Sequence, residues 1–149
     1  MTGINDAPVA TNDTGSVNED ATLSVSNGSG DIIDNNDTDA DDSASLVVSA
    51  VRIGGVEGSG TAGTVGQALT GTYGQLTLNA NGSYSYVANQ DAADDLDASD
   101  QVTDVFNYTL SDGTATDTAT ITITVTGIND APVADNETGA VNEDATLTV

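Results

Sequence analysis

The amino-acid sequence predicts an all-β protein, an antiparallel β-sandwich of two sheets with about seven strands. Three observations lead to this fold class. Apolar and polar residues alternate over short runs, loops rich in Gly, Asn, Asp and Ser separate these runs, and no run shows the apolar spacing of a helix. With 149 residues, the chain is long enough for one domain with a hydrophobic core.

The clearest strand covers residues 120–125, where isoleucine or valine alternates with threonine. Residues 105–110 alternate in the same way around Phe106 and Tyr108. Between these two runs, residues 111–114 read SDGT, which predicts a hairpin turn. This region is therefore expected to form a β-hairpin at the centre of a sheet.

A second hairpin is predicted where residues 76–78 and 83–86 flank the turn 79–82, which contains an Asn-Gly pair. The other predicted strands cover residues 9–17, 21–25 and 46–53. The only helical structure expected is one short turn around Ala92, Ala93 and Leu96. Short strands joined by turn-rich loops are typical of an Ig-like or cadherin-like sandwich.

Composition excludes several functions. The chain has 24 acidic residues and one basic residue, Arg52, which gives a formal net charge of −23. Such a surface disfavours nucleic acid and anionic membranes as partners and favours small cations. Cys and His are both absent, so the chain lacks disulfides, thiolate ligands and the commonest general base. We therefore expect a monomer that is not an enzyme and that does not insert into a membrane.

An internal repeat divides the chain. Residues 3–25 and 127–149 are identical at 19 of 23 positions, with an offset of 124 residues. A tandem array of whole domains explains this identity, so neighbouring repeats are expected partners. The predicted organisation is a linker from a preceding repeat at 1–8, a sandwich repeat at 9–127, and a linker with the first strands of the next repeat at 128–149.

Acidic residues concentrate in two segments, 31–42 and 91–100, which together hold 11 of the 24 acids. Within the first segment, Asp37, Asp39 and Asp41 are spaced two apart, so alternate carboxylates could converge on one hard cation. Oxygen ligands favour Ca²⁺ over zinc or copper, whereas Mg²⁺ tends to keep its waters. The competing interpretation is a solvated acidic surface that keeps the protein soluble.

An EF-hand loop does not fit this segment. Asp42 stands where that loop needs Gly, and Val48 stands where it needs a bidentate Glu. Acids also recur beside the repeat boundaries, in the sequences Asn5-Asp6, Asn18-Glu19-Asp20, Asn129-Asp130 and Asn142-Glu143-Asp144. Any metal site is therefore expected to draw ligands from several loops.

Residues 71–89 and 102–132 resemble the VCBS-type repeat of very large RTX adhesins, which type I systems secrete from Gram-negative bacteria. The segment TDTATITITVTGINDAP, residues 116–132, carries most of the resemblance. The chain is more loosely similar to cadherin repeats. Residues 127–132 resemble a cadherin linker, and residues 17–19 resemble the acidic site that follows the first strand.

Further parts of the chain resemble cadherin calcium-binding motifs. Residues 37–39 are similar to the Asp-x-Asp loop, and Asp112 to the acidic residue of the last hairpin. Residues 96–99 resemble the Leu-Asp-Arg-Glu motif but lack its Arg and Glu. The resemblance implies two calcium-binding seams between repeats. The implied ligands are Asn5, Asp6, Asp37, Asp39 and Asp112 at the N-terminal seam, and Glu19, Asp97 or Asp100, Asn129 and Asp130 at the C-terminal seam. Two further candidate ligands are Asp41, from the spacing within 37–41, and Glu143, the equivalent of Glu19 in the next repeat.

The implied function is a calcium-rigidified structural extender that projects the adhesive tip of a bacterial surface protein. Two alternatives remain open at this point. The same sandwich could bind a sugar or surface polymer through its loops, with Tyr73, Tyr84 and Tyr86 as a stacking platform, or it could be an accessory domain of a secreted hydrolase. Core packing is the expected role of these tyrosines, since Tyr84 and Tyr86 share one face of a strand.

Overall fold

The computed structural model describes residues 3–28, 30–41 and 44–148, and it confirms the predicted all-β sandwich. Eight strands and two short helices follow one another along the chain. They are β1 (Asp13–Asn18), β2 (Thr22–Val25), α1 (Ile32–Asn36), β3 (Val47–Ile53), β4 (Ala68–Thr70), β5 (Gln75–Leu78), β6 (Tyr84–Val87), α2 (Asp91–Asp94), β7 (Gln101–Ser111) and β8 (Thr116–Thr126).

The strands form two sheets of four, ordered β1-β8-β7-β3 and β2-β6-β5-β4. Every named pair is antiparallel except β1 and β8, which run parallel with Asp13 opposite Ile121 and Asn18 opposite Thr126. The sequence did not indicate this parallel pair. Because β1 and β8 are joined by no hairpin, their local sequence leaves both directions open.

Both predicted hairpins are present. The turn between β5 and β6 places Gly82 at a φ of 88°, and the turn between β7 and β8 places Gly113 at a φ of 94°. Positive φ is strained for residues with a Cβ, which is why Gly occupies these positions. The β7–β8 hairpin has eleven residues in each strand and forms the two central strands of the first sheet.

Three expectations about the elements need correction. The first strand does not extend over 9–17 but begins at Asp13, and Val9 forms only an isolated bridge with Thr38. The three-residue strand β4 was missed because it is too short to show alternation. Helix α1 was missed as well, although Asp31 precedes it as an N-cap. The predicted helical turn near Ala92 and Ala93 is confirmed as α2.

The core lies between the sheets and is lined mainly by alternate residues of β5 to β8. Tyr86 and Phe106 meet edge to face, with ring centroids 6.3 Å apart and an interplanar angle of 68°. Tyr84 and Tyr86 are buried, as expected for core residues, and Tyr73 is partly buried and packs against the core. Neither helix of the described residues is long and apolar enough to cross a membrane.

Residues 128–148 leave the sandwich after β8. All of them are exposed, and they contain neither strand nor helix, with only a turn at residues 143–144. This exposed segment is the second copy of the internal repeat. The division of the chain between repeats stays a prediction.

Candidate metal sites at the two ends of the sandwich

The N-terminal end of the sandwich brings together acidic residues that are distant in sequence. Asn5 Nδ2 donates a hydrogen bond to Asp112 Oδ2 at 3.0 Å, and the Asp6 N–H donates to Asp41 Oδ2 at 3.0 Å. The first pair spans 107 residues and the second 35. We call Asn5, Asp6, Asp39, Asp41 and Asp112 the N-terminal cluster.

A cavity of about 490 Å³ opens beside this cluster, and Asn5, Asp41 and Asp112 line it together with residues 3, 4, 44 and 45. Two carboxylates and one amide therefore face the same space. Asp112 also accepts hydrogen bonds from the N–H groups of Thr114 and Ala115. The hydrogen bond from Ala115 contributes most to lowering the pKa of Asp112, followed by the bonds from Asn5 and Thr114. The Asp112 carboxylate is therefore charged at neutral pH.

Asp39 adds an unsatisfied oxygen to the N-terminal cluster. Its Oδ1 accepts a hydrogen bond from the Asp41 N–H at 2.7 Å. Its Oδ2 is buried and has no hydrogen-bond partner within the described part of the chain. A buried carboxylate oxygen without a donor is costly, so this atom is a candidate ligand for a cation.

Asp37 was expected to belong to the same cluster; like Asp6 and Asp39, it does not line the cavity, and its own contacts lie elsewhere. Its Oδ1 accepts from the Thr11 N–H at 2.7 Å, and its Oδ2 lies 3.2 Å from the Tyr108 hydroxyl. The same hydroxyl lies 3.1 Å from Asp13 Oδ2. The hydroxyl also lies 3.0 Å from the Thr11 carbonyl oxygen. The side chain of Asp37 therefore faces β1 and β7, where the one hydroxyl proton of Tyr108 lies within reach of both carboxylates and of this carbonyl.

This arrangement affects the protonation of both acids. The pKa of Asp37 is raised to about 6, and burial is the largest cause. The charges of Asp13 and Asp117 act in the same direction, whereas hydrogen bonds from Thr11 and Tyr108 oppose the change. Burial likewise raises the pKa of Asp13, although hydrogen bonds from Asn35 and Tyr108 oppose the change. Asp13 was not singled out from the sequence, since it lies within the predicted strand 9–17 and outside both acidic segments.

At the C-terminal end, Glu19 is the central residue. Its side chain is only 1% exposed, and its Oε1 accepts a hydrogen bond from the Ile128 N–H at 2.5 Å. Its Oε2 is buried and has no hydrogen-bond partner among the described residues. Glu19 follows β1 directly, and its own N–H donates to the Thr126 carbonyl at the end of β8. Because β1 and β8 run parallel, Glu19 at the end of β1 lies beside Thr126 at the end of β8, where the chain leaves the sandwich.

A second cavity, of about 260 Å³, lies at this end. It is lined by Asp94, Asp95, Leu96, Asp97, Ala98, Ile128, Asn129 and Asp130. Of the predicted ligands, Asp97, Asn129 and Asp130 line this cavity, and we call them, with Glu19, the C-terminal cluster. Asp94 and Asp95 were not predicted, although they lie in the acidic segment 91–100.

Three predicted ligands at this end do not line the cavity. Glu19 is one of them, and its Oε1 accepts from the Ile128 N–H beside the cavity. Asp100 contributes its backbone carbonyl, which accepts from the Gly127 N–H at 2.9 Å. Glu143 lies in the exposed turn of the second copy. Gly127 is required where it stands, because a Cβ there would lie 2.3 Å from the Asp97 carbonyl oxygen. The absence of a Cβ lets the linker approach this loop, where the Ser99 N–H donates to the Gly127 carbonyl at 3.0 Å.

Other acids of the two segments are used structurally. Asp31 is fully buried, and its two carboxylate oxygens accept from the N–H groups of Gly28 and Asp34 at 2.9 and 2.7 Å. An Asp before two isoleucines is an N-cap signal that could have identified this role. Backbone amides therefore stabilise one carboxylate of the acidic segment 31–42.

Asp104 is a buried acid that no sequence pattern indicated. It is 4% exposed and accepts hydrogen bonds from the N–H groups of Thr72, Tyr73 and Gly74, and from the Tyr86 hydroxyl at 2.6 Å. Its oxygens are thus fully used in fixing the β4–β5 turn to the first sheet. We assign Asp104 to the fold and not to a ligand site.

The residues present fit a hard cation in chemical type. Within residues 3–28, 30–41 and 44–148, no three His, Cys, Asp or Glu side chains are grouped closely enough to hold a metal ion by themselves. Ligands from amide or backbone oxygens, or from a neighbouring repeat, would have to complete each site. Each end nevertheless has one buried carboxylate oxygen without a donor, and all available ligands are oxygens, as Ca²⁺ prefers.

Comparison with known proteins supports this reading of the fold. The family model described as "bacterial cadherin-like domain" matches residues 5–127, which is more than half of the chain. No curated protein matched the sequence. The matched range begins at the predicted ligand Asn5 and ends at Gly127, so it includes both ends of the sandwich.

Proposed function

The chain belongs to the bacterial cadherin-like domain family, and on that premise we propose that it is an extracellular adhesin repeat that calcium stiffens at both ends. The observation that carries the proposal is Glu19. A carboxylate oxygen that is buried without a donor, at the exit of the linker, is stabilised by a positive charge, which a cation would supply. The acids of the C-terminal cluster lie beside the same linker.

The residues of the C-terminal cluster would hold an ion between the sandwich and its linker. A bound Ca²⁺ would supply the positive charge that offsets repulsion among these carboxylates. Glu19 already binds the Ile128 N–H, and Asn129 and Asp130 follow directly. Fixing their side chains to the sandwich would set the direction in which the chain continues.

The N-terminal cluster would act in the same way toward the preceding repeat. Asn5 and Asp6 belong to the incoming linker, whereas Asp39, Asp41 and Asp112 belong to the loops of the sandwich. The unsatisfied Oδ2 of Asp39 supports this assignment. We leave Asp37 out of the proposed ligand set, because its Oδ1 accepts from the Thr11 N–H and its Oδ2 lies 3.2 Å from the Tyr108 hydroxyl.

The proposed role is mechanical and not enzymatic. Near-identical tandem copies suit a spacer that repeats one geometry many times, and stiff junctions keep such a spacer extended. We propose that the repeat belongs to a VCBS-type RTX adhesin on the surface of a Gram-negative bacterium, where it holds a distal tip away from the cell. A sugar-binding platform is disfavoured, because Tyr84 and Tyr86 are buried in the core.

Thermal unfolding of matched variants tests the calcium proposal. We expect the melting temperature to rise by roughly 5–10 °C when free Ca²⁺ is about 100 times its Kd, because binding to the folded state alone contributes about 2.7 kcal/mol. Glu19→Gln should remove about half of this rise, whereas Glu143→Gln at the equivalent exposed position should keep it. A calcium-induced rise of equal size in both variants would contradict the role of Glu19.

Stiffening needs its own measurement. X-ray scattering on two tandem repeats should show a larger maximum dimension and less flexibility with Ca²⁺ than with a chelator. If calcium raises the melting temperature and leaves the scattering unchanged, the ion stabilises single domains and does not set the angle between them.

A further inference from the structure

Two Asn-Gly steps occur in the chain, and serine follows each of them. They are Asn27-Gly28 and Asn81-Gly82. Before glycine, a backbone nitrogen reaches the asparagine side chain with little hindrance, because glycine has no Cβ and adopts many backbone conformations. The two steps are therefore closely matched in an unfolded chain. A difference between them in the folded protein comes from the groups that surround each one.

A buried carboxylate lies beside the glycine nitrogen of the first step. The Gly28 N–H donates a hydrogen bond to Asp31 Oδ2 at 2.9 Å. Asp31 is fully buried, and its other oxygen, Oδ1, accepts from the Asp34 N–H at 2.7 Å. The Asp31 N–H donates in turn to the Gly28 carbonyl at 3.0 Å, which closes the loop between these residues. Oδ2 of Asp31 is therefore fixed in position against the Gly28 nitrogen.

The side-chain amide of Asn27 reaches the same carboxylate oxygen. Its Nδ2 donates to the Asn81 carbonyl at 2.7 Å and lies 3.3 Å from Asp31 Oδ2. The opposite amide orientation would place the Asn27 oxygen against these two acceptors, so the hydrogen bonds fix the assignment. One oxygen of Asp31 thus contacts both the backbone nitrogen that follows Asn27 and the nitrogen of the Asn27 side chain.

The second Asn-Gly step has different surroundings. The Gly82 N–H donates to the Asn79 carbonyl at 3.1 Å, and a carbonyl oxygen is too weak a base to take its proton. Asn81 Oδ1 accepts from the Ser83 N–H at 3.2 Å and from the Ser83 hydroxyl at 2.7 Å. Within the described part of the chain, neither Asn81 nor Gly82 donates a hydrogen bond to a carboxylate. The two steps therefore differ in the presence of a base at the glycine nitrogen.

We propose that Asn27 is a self-modifying site, at which Asp31 catalyses cyclisation of the Asn27 side chain with loss of ammonia. The Asp31 carboxylate takes the proton of the Gly28 nitrogen as this nitrogen attacks Asn27 Cγ and forms a C–N bond. The bond from Cγ to Nδ2 then breaks, and Asp31 passes the proton to the leaving nitrogen, which departs as ammonia. The product is a cyclic succinimide, and Asp31 is again a carboxylate. This is general acid–base catalysis by one positioned group.

Hydrolysis of the succinimide changes the loop. Asn27 is exposed, so water opens the ring at either carbonyl and leaves aspartate or isoaspartate at position 27. Aspartate has only acceptor oxygens where the Asn27 amide donated to Asn81 and Asp31. Isoaspartate lengthens the backbone of the loop. Since Asp31 is the N-cap of α1, we expect both products to lower the melting temperature of the domain.

Peptide mapping by mass spectrometry follows both steps in one sample of the full chain. We expect Asn27 to be converted about a hundredfold faster than Asn81, which is the lower end of what a positioned acid–base group contributes. In urea the loop no longer holds Asp31 in place, so the two rates should become nearly equal. Between pH 6 and 8 the rate at Asn81 should rise with hydroxide, whereas that at Asn27 should change less, because its base is part of the protein.

Two matched variants separate catalysis from loss of charge. Asp31→Asn keeps an N-cap residue before α1 but cannot take the proton of Gly28, so conversion of Asn27 should slow about a hundredfold. Asp34→Asn removes the same charge from the same helix. It should leave the rate unchanged, because Asp34 contacts Asp31 through its backbone N–H. Circular dichroism establishes that each variant is folded before incubation.

A purely structural role of Asp31 has the opposite signature. A carboxylate that only holds the loop would protect Asn27, so Asp31→Asn would speed the conversion. That result, or equal rates at Asn27 and Asn81 in the folded natural chain, would overturn the proposal. If Asp31→Asn does not fold, the ratio of the two rates in the natural chain decides. All samples contain a chelator, so failure here leaves the calcium proposal standing.

Discussion

Two regions of this molecule have almost the same sequence and different structures. Residues 3–25 contribute β1 and β2, whereas residues 128–148 contain no strand and are exposed throughout. The four differences between the copies do not explain this, since none introduces Pro or Gly. The copies differ in their partners, because no strand of the described chain pairs with the second copy. Strand formation here is decided by β8 and β6, not by the strand's own residues.

What the copies share is equally informative. The turn at residues 18–21 recurs at 142–145 with the same positive φ and the same hydrogen bond. Its donors and acceptors lie three residues apart, so the turn needs no other part of the chain. A strand obtains its hydrogen bonds from distant residues, and it is absent where these residues are absent.

The largest expected difference between the copies concerns their leucines. Leu23→Ala should lower the free energy of unfolding by about 2 kcal/mol, because Leu23 packs against the core and its removal leaves a cavity. Leu147→Ala should change it by less than about 0.5 kcal/mol, since that side chain is exposed. Urea denaturation measures both. Equal losses would show that the second copy is packed in solution.

A smaller difference should appear in the pH dependence of stability. In the folded protein the pKa of Asp37 is about 6 and that of Asp13 is raised, both above the ordinary value of an aspartate. The folded state therefore takes up protons as pH falls through about 6. The stabilisation from these protons is complete below about pH 4 and is lost as pH rises through 6.

Asp13→Asn should flatten this dependence between pH 4 and 7, because it removes a charge beside Asp37. We expect a gain of about 1 kcal/mol at pH 7, well below the full pKa shift, since solvent screens the partly exposed Asp37. Glu137→Gln removes the same charge from the exposed copy and should leave the profile parallel to that of the natural chain. Melting curves recorded in a chelator between pH 4 and 7 measure this effect. If the stability of Asp13→Asn changes with pH as steeply as that of the natural chain, the prediction is wrong.

The smallest expected effect tests the shared turn. Asp20→Gly should raise the melting temperature slightly, by about 0.5 kcal/mol in stability, because Gly adopts a φ near 60° without strain. Asp144→Gly has the same local effect and should leave the melting temperature unchanged, since its turn lies outside the sandwich. A decrease in Asp20→Gly would mean that the Asp20 side chain has a role beyond its backbone conformation.

Much of the fold could be predicted because its strongest signals are local. The threonine alternation of β8 and the Asn-Gly turn before β6 identify two hairpins directly. Helix α1 and strand β4 were not predicted, because they have five and three residues, which are too few to show a hydrophobic period. The parallel direction of β1 was not predicted for another reason. It depends on the chain crossing from one sheet to the other between β1 and β2.

The candidate sites divide in the same way. Acidic residues near the repeat boundaries predicted Glu19 as a candidate ligand, the spacing within 37–41 predicted Asp41, and the resemblance to cadherin repeats implied Asp112. Nothing in the sequence distinguished Asp39, with an unsatisfied oxygen, from Asp37, whose oxygens accept from Thr11 and Tyr108. These residues are two apart in one loop, so only the elements packed against them separate their roles.

The sequence by itself determined the sandwich class, the hairpins, the recurring turn and the strongly acidic character, because each depends on composition or on residues close along the chain. The tertiary structure alone decided which copy of the repeat forms strands, which carboxylates find hydrogen-bond donors, and which are left buried without one. The physical reason is that ladders and burial join residues up to about a hundred positions apart, as Asn5 and Asp112 show, and no local pattern records such a meeting.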